Sequence, residues 1–123
     1  MKIYLAHSSE FDFRTKLYAP LRASALSSEH EILLPQEGEV KEEISRDMIK
    51  GCDMLVAEVS MPSLGAGIEM GWADAFGVPV IAIFEKGSAP SFSIDNVVTE
   101  RFAYENADDM LAKLADVIAA HSV

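Results

Sequence analysis

The sequence holds a single cysteine, Cys52, so it cannot close an internal disulfide or build a cysteine-rich zinc site. It holds three histidines, His7, His30 and His121, and their spacing matches no metal-binding motif. Neither a metal nor a cofactor is expected. Cations are scarce: 10 Lys and Arg stand against 20 Asp and Glu, a formal net charge of -10. A surface this acidic repels a polyphosphate backbone, which argues against a nucleic-acid polymer as partner. One small phosphate is still permitted, because local backbone N–H groups can hold it against the overall field. No apolar run approaches the roughly 18 residues a membrane helix needs. The run Ile3–Ala6 after Lys2 is far shorter than the apolar core of a secretion signal. The expectation is a cytoplasmic protein with no membrane contact.

Half of the 123 residues are hydrophobic, enough for one domain spanning residues 1–123 with a core of its own. No repeat, linker or low-complexity tract interrupts it. Short β-rich runs alternate with longer helical stretches. Lys2–Ala6 reads as a first strand, and Arg14–Ser27 as a helix kinked by Pro20, with Leu17, Leu21 and Ala25 on one face. Glu31–Leu34 is a second strand and Val40–Lys50 a helix with acids first and Lys50 last, as its dipole favours. Asp53–Val59 is a third strand, followed by a loop and a helix from about Gly65 to Phe76 that Gly77 closes. Val78–Phe84 is apolar throughout, as in a strand buried on both faces. Arg101–Tyr104 is a short edge strand, and Ala107–His121 an amphipathic helix carrying Met110, Leu111, Leu114, Val117 and Ile118. This alternation predicts an α/β fold: a flavodoxin-like, doubly wound three-layer sandwich on a five-stranded parallel sheet. Ligands of such folds bind at the carboxyl ends of the strands. The segments to search are therefore those around His7–Arg14, Pro35–Glu39, Ser60–Glu69 and Glu85–Ser93.

The stretch Ser60-Met-Pro-Ser-Leu-Gly-Ala-Gly-Ile-Glu-Met-Gly is the most informative. Gly65 and Gly67 let a backbone approach a ligand, and the helix start beside them offers unpaired N–H groups. A carboxylate there, Glu69, suits attack on the anomeric carbon of a sugar. An acid near a helix start also simply complements the dipole. The run Gly65-x-Gly67-x-x-x-Gly71 imitates a dinucleotide-binding loop, with Glu85 further on. However, its spacing is wrong, it follows the third strand rather than the first, and Glu69 would repel a pyrophosphate.

The run from Cys52 through AEVSMPSLGAGIEMGWA resembles the signature of the nucleoside 2-deoxyribosyltransferase superfamily, in particular its 2'-deoxynucleoside 5'-phosphate N-hydrolase branch. The resemblance implies that Glu69 is the nucleophile of a covalent deoxyribosyl intermediate and that Tyr4, in the first strand, orients it. It implies that Ser63, Gly65 and Gly67 line the 5' end of the sugar. It further implies that Ser93 reaches a phosphate from a neighbouring subunit, which makes the active unit a homodimer or higher oligomer. The implied partner is a small nucleoside or nucleotide.

Two departures bear on this. The family's catalytic aspartate lies eight residues before the aspartate of the third strand, and here that position is Ser45. Asp47 is the nearest acid and the candidate for protonating the leaving base. Two helical positions turn a side chain by about 200°, so equivalence would need a local shift. After the first strand the branch carries Gly-Ser-x-Arg, whereas this chain has His7-Ser8-Ser9-Glu10, and Arg14 is the candidate replacement for the phosphate-binding arginine. His7, Ser8 and Phe11 are candidate contacts to base or phosphate. The expected reaction is hydrolysis or transfer at the N-glycosidic bond of a 2'-deoxyribonucleoside or its 5'-monophosphate. The rival is a nucleotide-binding or sensor module of the same fold without turnover.

Overall fold

A computed structural model describes residues 1–38 and 45–122. Five strands form one sheet: β1 (Lys2–His7), β2 (Glu31–Leu33), β3 (Met54–Glu58), β4 (Val80–Glu85) and β5 (Glu100–Tyr104). Their order is β2-β1-β3-β4-β5 and every pairing is parallel. The connection direction reverses between β1 and β3, so the fold is the expected doubly wound one, with the switch point at the carboxyl ends of those strands. β1 and β3 run in register from Ile3 opposite Met54 to His7 opposite Glu58.

Alternation along the strands feeds two cores. On one face, Ile3, Leu5, Met54, Val56, Ile81 and Ile83 pack with Leu17, Leu21, Met110, Leu114 and Ile118. On the other, Tyr4, Ala6, Leu55, Ala57, Val80 and Ala82 pack with Ile49, Ala66, Met70 and Ala73. The first set meets α1 (Ala19–Ala23), α2 (Leu26–Glu29) and α5 (Ala107–His121). The second meets α3 (Ser45–Lys50) and α4 (Leu64–Ala75). Sheet and two helical layers make the three-layer sandwich. α5 buries Met110, Leu114 and Ile118 and half-buries Leu111 and Val117, the stripe expected of it. Gly77, at φ +75°, ends α4, donating its N–H to the Asp74 carbonyl at 3.1 Å while Val78 donates to Ala73 at 2.8 Å.

The continuous helix expected over Arg14–Ser27 is divided. A π-type turn covers Arg14–Tyr18, α1 follows with Pro20 in its first turn, and Ser24 is extended (φ -93°, ψ 163°) before α2 begins. The Ser24 and Ser27 hydroxyls donate to the Leu21 carbonyl at 2.7 and 2.8 Å, ending α1 by offering its last carbonyl other donors. The break rotates Ala25 out to solvent and delivers Leu26 to the core instead. Other boundaries shift by one or two residues. β1 extends to His7, and β4 runs from Val80 to Glu85. Of the helix expected over Val40–Lys50, α3 is its second half, and the earlier part lies outside the described residues.

Candidate active site

A cavity of about 530 Å³ opens at the switch point, lined by Tyr4, His7, Pro35, Gln36, Ser45, Gly65, Ile68, Glu69 and Trp72. Four separate segments reach it: the strand β1, the turn after β2, and the facing helices α3 and α4. α4 begins at Ser63, whose hydroxyl oxygen accepts the Ala66 N–H at 3.1 Å and satisfies one of the helix's unpaired donors. Gly65, Ile68, Glu69 and Trp72 stand at helical spacing, so α4 turns one continuous stripe toward the cavity. Glu69 lies in the second turn of α4, slightly deeper than the sequence suggested.

The Tyr4 hydroxyl donates a short hydrogen bond to Oε2 of Glu69. Tyr4 is fully buried, and burial first, then the bond to Glu69, pushes its phenol well above the ordinary tyrosine range. The phenol thus keeps its proton and remains a donor. Ser45 hydrogen-bonds the same phenol, so Ser45, Tyr4 and Glu69 form a chain along the cavity wall. His7 is also on this wall. Its Nδ1 is 3.0 Å from the Ser8 carbonyl, its Nε2 is 2.7 Å from the Tyr18 hydroxyl, and Phe13 stacks on the ring at 4.3 Å. Burial holds His7 below the usual histidine range.

The structure thus gathers Tyr4, His7, Gly65 and Glu69 in one place. Ser63, Gly67 and Ser93 line a second cavity of about 250 Å³ with Glu58, Met61, Leu64 and Ile94, on a different flank of α4. The remaining residues named from sequence line neither cavity. Ser8 is buried and accepts the Glu10 N–H at 3.1 Å, and Phe11 belongs to the core. Arg14 is exposed with its guanidinium 5.0 Å from the Phe13 ring. Asp47 is exposed, paired with Arg46 at 3.7 Å, while Ser45 occupies the wall. Gln36 and Ile68 fall in segments the sequence marked for search without being singled out, and Trp72 lies outside them. Ile68 and Trp72 could have been found from their positions one before and three after Glu69 on one helix. Among the described residues no group of His, Cys, Asp and Glu could hold a metal, and no helix is long and apolar enough to cross a membrane.

No protein-family model matches the chain. Two curated relatives share the name "Putative 2'-deoxynucleoside 5'-phosphate N-hydrolase 1". That of Syntrophotalea carbinolica is 32% identical over 74 residues, covering 58% of this chain and 52% of the relative. That of Thermofilum pendens is 36% identical over 85 residues, covering 63% and 59%. The chain therefore spans between half and three fifths of the relatives it matches. Among solved structures, the CMP N-glycosidase of Clostridium botulinum superposes with a TM-score of 0.69 at 21% identity, over 95% of this chain and 99% of that one. The 2-deoxyribosyltransferase of Bacillus psychrosaccharolyticus gives 0.62 at 22% identity, over 89% and 90%. At such identities the structures speak for the fold. The relatives and neighbours fall within the superfamily that the sequence motif resembles.

Proposed function

We propose that this chain is an enzyme that breaks or exchanges the N-glycosidic bond of a 2'-deoxyribonucleoside or its 5'-monophosphate, with Glu69 as nucleophile. The observation that carries the reading is the Tyr4–Glu69 hydrogen bond inside the switch-point cavity. A phenol that burial keeps protonated holds one carboxylate oxygen, which fixes the side chain for attack at C1'. The sugar C1'–N bond breaks as C1'–O(Glu69) forms, and water or a second base then displaces the glutamate. The 2'-deoxy sugar eases the oxocarbenium-like transition state. The names of the two curated relatives support the same bond as the target.

The Ser63–Ser93 cavity is the proposed place for the 5' end of the substrate, and the bare face around Met61, Leu64, Ile68 and Phe92 is the proposed contact between two copies. A cytoplasmic setting fits the free Cys52, whose thiol burial pushes up to about 11 and so leaves unreactive.

A binding module without turnover is the second reading. Ser45 on the wall and Asp47 turned to solvent favour it, because no carboxylic acid is thereby aimed at the leaving base from α3. Incubation with the common deoxynucleosides and their monophosphates, with and without a second free base, separates the readings. Released base or a new nucleoside supports the enzyme. Saturable binding with neither product sinks it.

A further inference from the structure

The switch-point cavity carries charge of one sign. Among the described residues its wall holds one carboxylate, Glu69, and neither lysine nor arginine. Trp72, half-buried and three positions after Glu69 on α4, adds an aromatic surface about one helical turn from the nucleophile. A carboxylate and an indole on one wall suit a cationic ring, the first through its charge and the second through its π-electrons. The same wall, again among the described residues, offers a leaving base no ready proton. Burial and the bond to Glu69 hold the Tyr4 phenol well above the ordinary tyrosine range, so it keeps its proton. Both His7 nitrogens are engaged, Nδ1 with the Ser8 carbonyl at 3.0 Å and Nε2 with the Tyr18 hydroxyl at 2.7 Å. Ser45 and Gln36 end in a hydroxyl and an amide, neither of them an acid near neutrality. Asp47 is turned to solvent beside Arg46.

A neutral purine or pyrimidine must gain a proton as its bond to C1' breaks, or leave as an anion. A base that is already a cation needs neither, because the departing electron pair cancels its charge. We propose that the substrates of this site are 2'-deoxynucleosides, or their 5'-monophosphates, whose base carries a fixed positive charge, as N-alkylated purines and pyridinium bases do; this rests on the N-glycosidic reading above. α4 sets the direction of the bound molecule. The proposed 5' end lies before Glu69, at the Ser63–Ser93 cavity, so with C1' at Glu69 the base lies after it, toward Trp72. In the first step the C1'–N bond breaks and its pair stays on the ring, which departs neutral, while a Glu69 oxygen bonds C1'. In the second step a water oxygen bonds C1' and the C1'–O(Glu69) bond breaks, its pair returning to the carboxylate while the water proton goes to solvent. Each turnover consumes one water and releases one neutral base and one proton.

The test compares 7-methyl-2'-deoxyguanosine, in mildly acidic buffer where its base is cationic, with 2'-deoxyguanosine. Each kcat/KM is divided by that nucleoside's spontaneous cleavage rate, so that intrinsic lability cancels. The enhancement is expected to be at least about a hundredfold greater for the methylated nucleoside. Ser45→Asp puts a carboxyl on the wall, where the Glu69 charge opposes its ionisation and keeps it a donor. It is expected to raise 2'-deoxyguanosine cleavage at least about tenfold, and aspartate suits a helix start, so the fold should hold. Trp72→Leu removes the aromatic ring and is expected to raise KM for the methylated nucleoside about tenfold, with Trp72→Phe restoring most of it. Circular dichroism checks the folds, and the Trp72 pair decides should Ser45→Asp fail to fold. Equal enhancements for the two nucleosides in the wild type overturn the proposal and leave the N-glycosidic reading standing. A wild-type KM in folded Trp72→Leu does the same. Base release from neither nucleoside overturns that reading and the proposal with it.

Discussion

At the residue scale, Glu69 and Tyr4 meet across 65 positions of sequence because the sheet brings the carboxyl end of β1 beneath the start of α4. Glu69→Gln keeps an acceptor for the Tyr4 hydroxyl and removes the nucleophile. Base release is expected to fall at least about a thousandfold, while thermal unfolding shifts by no more than about 1 kcal/mol. A near-normal rate in the folded variant would sink the covalent mechanism. The sequence pointed to both residues, Glu69 through its glycine-flanked helix start and the family motif, and Tyr4 through its place in the first strand. The wall position on α3 is Ser45, where the motif count falls, and the helical rotation between the two turns Asp47, the nearest acid, to solvent. The hydrogen bond between Tyr18 and His7 was not legible, because the π-type turn that carries Tyr18 leaves no periodic trace.

At the element scale, the break at Ser24 decides which side chain fills the core beside α1. Leu26→Ala is expected to cost about 2–5 kcal/mol in urea unfolding, and Ala25→Ser no more than about 0.5 kcal/mol. The reverse ranking would restore the uninterrupted helix that periodicity alone suggested. Strand alternation was legible because hydrophobic period 2 survives any context. The break was not, because serine hydroxyls competing for the Leu21 carbonyl act through geometry rather than composition.

Glu58 joins β3 to β5 at the same scale: its carboxylate accepts from the Tyr104 hydroxyl and, at 2.6 Å, from the Ser60 N–H. Burial raises its pKa despite these bonds. A carboxyl raised in the folded state stabilises it fully below the unfolded value and loses that contribution as pH rises through the folded one. Glu58→Gln should therefore be more stable than wild type at pH 7–8 (a gain of roughly 1–3 kcal/mol is typical when a buried charge is replaced by a neutral isostere), and the gain should vanish as pH drops toward about 4.5. Melting temperatures across that range check it, and a loss of stability at pH 8 would show that the ionised form is the better fitted.

At the scale of the whole molecule, a chain of net charge -10 carries, among the described residues, four large apolar side chains in the open: Met61, Leu64, Ile68 and Phe92, at 37%, 83%, 46% and 89% exposure. Ile68 lies on the wall of one cavity and Met61 and Leu64 on the wall of the other. The doubly wound fold and its switch point were legible from strand–helix alternation. This patch was not, because the same α4 sequence pattern serves a core face and an open face. A second copy covering it would bury apolar surface while bringing two acidic bodies together, so attraction is short-ranged and repulsion long-ranged. Self-association should therefore strengthen as salt rises from about 0.02 to 0.5 M, the opposite of an interface held by ion pairs. Sedimentation velocity at several protein concentrations measures it. Leu64→Glu places a charge at the most exposed α4 position, leaves the fold intact and should give a monomer at every salt concentration. A wild type that stays monomeric at high salt would leave the Ser63–Ser93 cavity to act within a single chain, and would remove the oligomer from the proposed active unit.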